Sequence, residues 1–189
     1  MIIVNVKQPY SIDKVGEEDK SRVIDFMMSI RSEVFPMLSQ DQLPPDLLHF
    51  RQHYIQQENA TVLAARMPDG TLIGTIGIIP YDGRFHQLEG FYNNIPTAEI
   101  VKCYIDSTYR RLKIGTTLFQ EALKFSEDAG YQKLYLHTHP FLPGAISFWE
   151  NQGFAIRLAE DDPIWKTVHM DMNLKCEMKN KGSYISENE

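Results

Sequence analysis

Two apolar runs rich in β-branched residues, at 61–65 and 71–79, stand either side of Met67-Pro68-Asp69-Gly70. Proline pre-sets the φ that opens a tight turn, aspartate bonds to the backbone just beyond it, and glycine takes the positive φ at its end, so the chain reverses here. The two runs read as a β-hairpin, and any fold for this chain has to be built on it. Residues 99–105 read as a further strand, with Glu99, Val101, Cys103 and Ile105 on one side and Ile100, Lys102 and Tyr104 on the other by strict alternation. Ile114, Leu118, Ala122, Phe125 and Ala129 recur at helical spacing, which predicts a helix over 113–129 stopped by Gly130. A strand at 133–138 and a helix at 143–152, with Pro143 in its first turn and Gly153 past its end, come next. Two closing strands at 155–158 and 167–174 flank the acidic turn at 160–163.

Ahead of the hairpin, the β-branched run 1–6 reads as a first strand, and residues 20–35 as a helix whose stripe of Val23, Phe26, Met27, Ile30 and Val34 faces the core. A loop with three prolines at 35–45 leads to a short helical pattern through Leu47, Leu48 and Tyr54. The polar connection 81–96 holds Phe85, Phe91 and Tyr92, which read as a hydrophobic clip under a long loop. This succession implies an α/β fold: one mixed, largely antiparallel sheet covered by helices.

With 189 residues, 43% of them hydrophobic, the chain is expected to form one domain over 1–175 with a polar tail at 176–189. The longest nearly apolar run, 72–80, falls short of the roughly 20 residues that a membrane-spanning helix needs. Residues 1–6 lack the basic flank of a secretory signal, and Cys103 and Cys176 do not form a disulfide framework, so the expected location is cytoplasmic. A net charge of −6 argues against a nucleic-acid partner. The one dense cationic cluster, Arg110, Arg111 and Lys113, suits a single phosphorylated ligand, and the acidic remainder is compatible with a cationic substrate.

That cluster lies where a strand hands over to a long amphipathic helix, in Tyr109-Arg110-Arg111-Leu112-Lys113-Ile114-Gly115-Thr116. Free backbone N–H groups and the positive end of the helix make such a junction an anion seat, and Gly115 lets a phosphate approach the backbone. Cations at a helix N-terminus oppose the helix dipole, which a bound anion would offset. The segment resembles the acyl-CoA signature of the GNAT superfamily of N-acetyltransferases, with Arg110 and Gly115 at the first and last positions and Lys113 where the middle glycine usually stands. A second element, Ser147-Phe148-Trp149-Glu150-Asn151-Gln152-Gly153-Phe154, is similar to the family's helix leading into a Gly-Phe pair. Leu142 replaces a frequent asparagine, and Trp149 replaces a frequent tyrosine that protonates the leaving thiolate.

The resemblance implies a sheet flanked by helices on both faces and splayed between two central strands, with acetyl-CoA as cosubstrate and no metal. The cosubstrate would be held by Cys103, Tyr104 and Ile105, by Arg110, Arg111, Leu112, Lys113, Ile114, Gly115 and Thr116, and by Trp149. The acetyl group would pass directly to a primary amine of a small molecule or peptide, with no membrane partner and with a homodimer left open. An amine with a reference pKa of about 10 must lose a proton before it attacks, so a base is required. Glu99 is the first candidate, because burial at the start of the splayed strand would raise its proton affinity. His137 and His139 share a face of the next strand, where a proton relay fits better than a two-ligand metal site. Ser107, Thr108 and Cys103 have no base tied to them by spacing, which disfavours a covalent route. Two rivals are a non-catalytic acyl-CoA-binding module that kept the cleft but lost its acid, and an unrelated phosphate-binding domain.

Overall fold

In the computed structural model, which describes residues 9–110 and 112–174, the expected hairpin forms the centre of one half of the sheet. Strands β2 (Thr61–Arg66) and β3 (Leu72–Pro80) pair antiparallel, and Gly70, at φ +86°, closes the turn by donating its N–H to the Met67 carbonyl at 2.8 Å. The first strand expected at 1–6 lies outside the described residues. The edge position belongs to β1 (Ser11–Lys14), which pairs with β2 from Ser11↔Arg66 to Lys14↔Leu63. Helix α1 (Lys20–Val34), the short helix α2 (Pro45–Leu48) and a π turn at Arg51–Ile55 precede the hairpin.

After it come β4 (Thr97–Ile105), α3 (Ile114–Asp128), β5 (Lys133–Thr138), α4 (Ala145–Asn151), β6 (Ala155–Ala159) and β7 (Val168–Asn173). The seven strands run in the order β1-β2-β3-β4-β5-β7-β6, antiparallel throughout except for the parallel pair β4 and β5. Helices cover both faces, as expected. Leu118, Phe119 and Ala122 of α3 pack with Ile73, Ile76, Ile78, Ile100 and Leu136 on one face, and Val23 and Met27 of α1 pack with Leu47, Phe50, Val62 and Ala64 on the other. Each such fully buried aliphatic side chain contributes about 1.5–3 kcal/mol. Gly74 allows α3 to lie close: a Cβ there would stand 2.9 Å from Ile105 Cδ1 and 3.0 Å from Ile114 Cγ2.

The connection at 81–96 does act as a clip, since Leu88 and Tyr92 are buried with Tyr135, and Tyr81 and Phe85 pack against them, while Phe91 is exposed. It is fastened to Asp171 of β7, which is 3% exposed. Arg157 of β6 donates to both carboxylate oxygens of Asp171 at 2.8 and 2.9 Å, Tyr92 donates its hydroxyl at 3.1 Å, and Lys133 of β5 stands 3.7 Å away. Burial opposes the charge of Asp171, but these donors and the two cations hold its carboxyl below the usual carboxylate range.

Two features of β4 shape everything that follows. Its pairing with β3 moves from Gly77↔Val101 to Thr75↔Tyr104, three residues of β4 against two of β3, and Lys102 absorbs the extra residue at φ +52°. This bulge resets the alternation expected for 99–105. Ile100, Cys103 and Ile105 pack on the α3 face, whereas Val101 and Tyr104 pack on the α1 face, so Cys103 and Ile105 do not share a side with Val101. Second, β4 and β5 pair only at Thr97↔Lys133, Ala98↔Leu134 and Glu99↔Tyr135, and then part.

Candidate active site

Where β4 and β5 part, a cavity of about 680 Å³ opens between them. Ile100 to Ile105 line one wall, Leu136 to His139 the other, and the first turn of α3 its end. Beyond Glu99 the edge of β4 has no strand partner on this side, so its backbone groups are available to a ligand.

The start of α3 is uncapped and cationic. Lys113 is the N-cap, no side chain caps the helix, and Ile114, Gly115 and Thr116 present first-turn N–H groups to the cavity with Arg110 and Lys113 beside them. Lys113 sits at φ +57°, a left-handed conformation that glycine adopts without strain, which explains physically why glycine is usual at this position. Lys113→Gly is expected to raise stability by about 0.5–1 kcal/mol, read as an upward shift in Tm, while removing one charge from the seat. An unchanged or lower Tm would mean that lysine bears no strain there. Gly115 is close-packed: a Cβ there would stand 3.3 Å from the ring of Phe148 in α4.

The cavity thus gathers Cys103, Tyr104, Ile105, Arg110, Lys113, Ile114, Gly115, Thr116 and Trp149. Leu112 stays outside its lining, 40% exposed, with its carbonyl accepting from Tyr10, and Arg111 lies outside the described residues. Burial pushes the Cys103 thiol up to about 12, so it stays protonated and cannot serve as a nucleophile near neutrality. Burial likewise raises Tyr104 to about 12, leaving its hydroxyl a proton donor. Trp149 is 7% exposed and packs edge-on to Phe119, Phe148 and Phe154, a core role that its indole fills well.

Glu99 corrects an expectation. It is wholly buried, and Arg84 from the clip grips it twice, Nη1 to Oε2 at 2.7 Å and Nη2 to Oε1 at 2.6 Å. Burial does press its proton affinity upward, but the contacts of His137 and Arg84 outweigh that and hold the carboxyl below its ordinary value. Nδ1 of His137 is buried 3.2 Å from Glu99 Oε1, off the line of a straight hydrogen bond, while the ring borders the cavity.

His139 is more enclosed. Burial lowers its proton affinity, and with Nδ1 donating to the Trp165 carbonyl at 3.1 Å it is a neutral imidazole with its Nε2 lone pair free. Its ring stacks on Phe141 at 5.0 Å and meets Trp165 at 5.3 Å and Phe35 at 6.0 Å. Arg84, Phe35, Phe141 and Trp165 were not among the site residues expected from the sequence. Arg84 and Phe35 border the cavity, Phe141 and Trp165 pack around His139 beside it, and the four come from four separate connections.

Among the described residues no group of three His, Cys, Asp or Glu side chains is placed to hold a metal, and no helix is long and apolar enough to cross a membrane.

A family model described as the acetyltransferase (GNAT) family matches residues 24–154. The chain is 28% identical over 112 residues, 59% of its length, to the Xenopus tropicalis protein named "Probable N-acetyltransferase camello", covering 46% of that protein. It spans between 45 and 63% of the length of the curated relatives it matches. Among solved structures, an acetyltransferase of the GNAT family from Staphylococcus aureus Mu50 superposes with a TM-score of 0.69 at 26% identity, over 88% of this chain and 99% of that one. A spermidine N-acetyltransferase from Vibrio cholerae, solved with CoA and spermine, shares the fold with a TM-score of 0.64 at 17% identity, over 89% and 97% of the two chains.

Proposed function

The chain belongs to the acetyltransferase (GNAT) family, and from that premise we propose that it transfers the acetyl group of acetyl-CoA directly to a primary amine of a small molecule or peptide. The observation that carries the reading is the coincidence, in one cavity, of an uncapped cationic helix start, an unpaired strand edge and a histidine beside a buried carboxylate.

The residues fit the cosubstrate. Arg110, Lys113 and the N–H groups of Ile114, Gly115 and Thr116 would hold its phosphates, with the β4 edge at Cys103 to Ile105 lying along its pantetheine arm. A backbone N–H of that edge would steady the negative charge that develops on the thioester oxygen. The proton acceptor we assign is His137. Glu99 has both carboxylate oxygens occupied, so it acts through the imidazole: with Nδ1–H toward Glu99, the Nε2 lone pair of His137 is left for the cleft. The ammonium gives one proton to His137, the freed amine nitrogen attacks the carbonyl carbon, the carbon–sulfur bond breaks, and the second N–H proton passes to the leaving thiolate, directly or relayed by solvent or Tyr104. A thiolate is stable enough near neutrality that this last proton need not come from Trp149.

The test is release of free thiol from acetyl-CoA by the purified protein with a panel of primary amines, paired with thermal stabilisation by acetyl-CoA, ATP and NAD. Amine-dependent thiol release is the expected result. Stabilisation by acetyl-CoA with no release would instead support a non-catalytic acyl-CoA-binding module, the reading favoured by Trp149 and Leu142. Equal stabilisation by ATP or NAD would remove acetyl-CoA from the site.

A further inference from the structure

The charge of the whole chain does not extend into the cleft. Net charge is −6, yet among the described residues no aspartate or glutamate lines the cavity, whose charged side chains are Arg84, Lys102, Arg110 and Lys113. On the acceptor side the cations are already matched: Arg84 holds Glu99, and Lys102 Nζ stands 2.8 Å from Asp46. In the neighbouring β6–β7 turn Glu160 is paired with His169 and Gln87, while Asp162 accepts through Oδ1 from the amides of Ile164 and Trp165 and keeps its Oδ2 buried without a partner. An acceptor bearing several ammonium groups would find no carboxylate in the cavity lining to replace its hydration.

What the acceptor side offers is aromatic surface. Phe35 after α1, His139 and Phe141 after β5, and Trp165 before β7 form a cluster whose ring centroids lie 5.0 to 6.2 Å apart. Phe35 and His139 border the cavity itself, Phe141 of the same cluster is 39% exposed, and Met37, 57% exposed, and Ile164, 72%, lie in the same connections as Phe35 and Trp165. Exposed apolar groups continuous with a cleft mark a surface meant to be covered by a ligand.

Resting on the acetyltransferase reading, we propose that the acceptor is a monoamine whose nitrogen adjoins an apolar or aromatic side chain, which seats on Phe35, Phe141 and Trp165. The same wall favours the chemistry. An ammonium brought against apolar rings loses hydration, which presses it to shed the proton that His137 receives. The shared chemistry is met by a free arylalkylamine and by the amino terminus of a peptide with an apolar first residue.

The experiment compares kcat/KM for phenylalaninamide, leucinamide, glycinamide, lysinamide, spermidine, phenethylamine and a Phe-Gly-Gly amide, in the native protein and in Phe141→Ala. Phenylalaninamide is expected to exceed glycinamide and spermidine by about 10-fold or more, the discrimination one apolar group commands in a fitted pocket. In Phe141→Ala, a half-exposed loop position, the ratio of phenylalaninamide to glycinamide is expected to fall by about 5- to 10-fold. Turnover of phenethylamine or of the tripeptide amide tells the two sources apart, and either supports the proposal. Preference for spermidine or lysinamide, or a ratio unmoved by Phe141→Ala, overturns it while leaving the acetyltransferase reading intact. Acetyl-CoA binding with no amine acetylated overturns both.

Discussion

His137→Gln is expected to lower kcat/KM for amine acetylation by about 10²- to 10³-fold with acetyl-CoA affinity nearly unchanged, because a positioned general base contributes an effect of about that size. Glutamine keeps much of the volume of the imidazole but accepts no proton, so the acidic limb of the pH–rate profile should flatten and the deficit should shrink at alkaline pH, where more of the amine is already neutral. Glu99→Gln is expected to cost less, about 10-fold, since it leaves His137 in place and removes only the charge beside it. Arg84, 39% exposed at its side chain, can then turn to water. Steady-state kinetics over pH with titration of acetyl-CoA checks both variants. A larger loss in Glu99→Gln than in His137→Gln would return the role of base to the carboxylate.

Asp171→Ala is expected to destabilise the protein by about 3–5 kcal/mol, because it strips the shared anion from Arg157, Lys133 and Tyr92 and leaves buried polar groups unpaired. At this chain length each kcal/mol moves Tm by about 2–4 °C, so thermal unfolding should fall by about 6–20 °C. The pH dependence has a definite sign. The native carboxyl of Asp171 is held below its unfolded value of about 3.9, so its ionic contribution is complete above that value and is lost as pH falls through the lower native one. The stability gap between the native protein and Asp171→Asn should therefore stay level above about pH 5 and narrow in acid. A gap that widens below pH 4 would show that the ion pairs are not what Asp171 supplies.

Sheet, helices and connection order were legible because hairpin chemistry and two hydrophobic periods agree along most of the chain. Half of the site was legible too: Arg110 and Gly115 sit in a spaced motif at a strand-to-helix junction, and a motif keeps its geometry wherever the fold places it. The acceptor half was not. Strict alternation in 99–105 fails at Lys102, whose left-handed φ is set by pairing with β3 and leaves no mark in residue type. Glu99 was found, but its proton affinity was read with the wrong sign, since Arg84 lies 15 residues away in a polar loop whose approach only the folded chain displays. That Phe35, Phe141 and Trp165 meet could not be read for the same reason, since they come from connections that follow α1 and β5 and precede β7.

A hydrogen-bonded sheet is stiff along its ladder, and in this one the ladder is thinnest along a single line. Three residue pairs tie the β1–β4 half to the β5–β7 half, and past Glu99↔Tyr135 the central join has no rungs. The fewest residue pairs thus cross the sheet at the cleft, while within each half the pairing runs on through its bulges. A ligand that hydrogen-bonds to the free edge of β4 supplies the missing rungs, so occupancy and rigidity become the same variable. Along that line the two halves share fewer pairs than any other neighbouring strands, and a strand-like ligand on β4 would add to them.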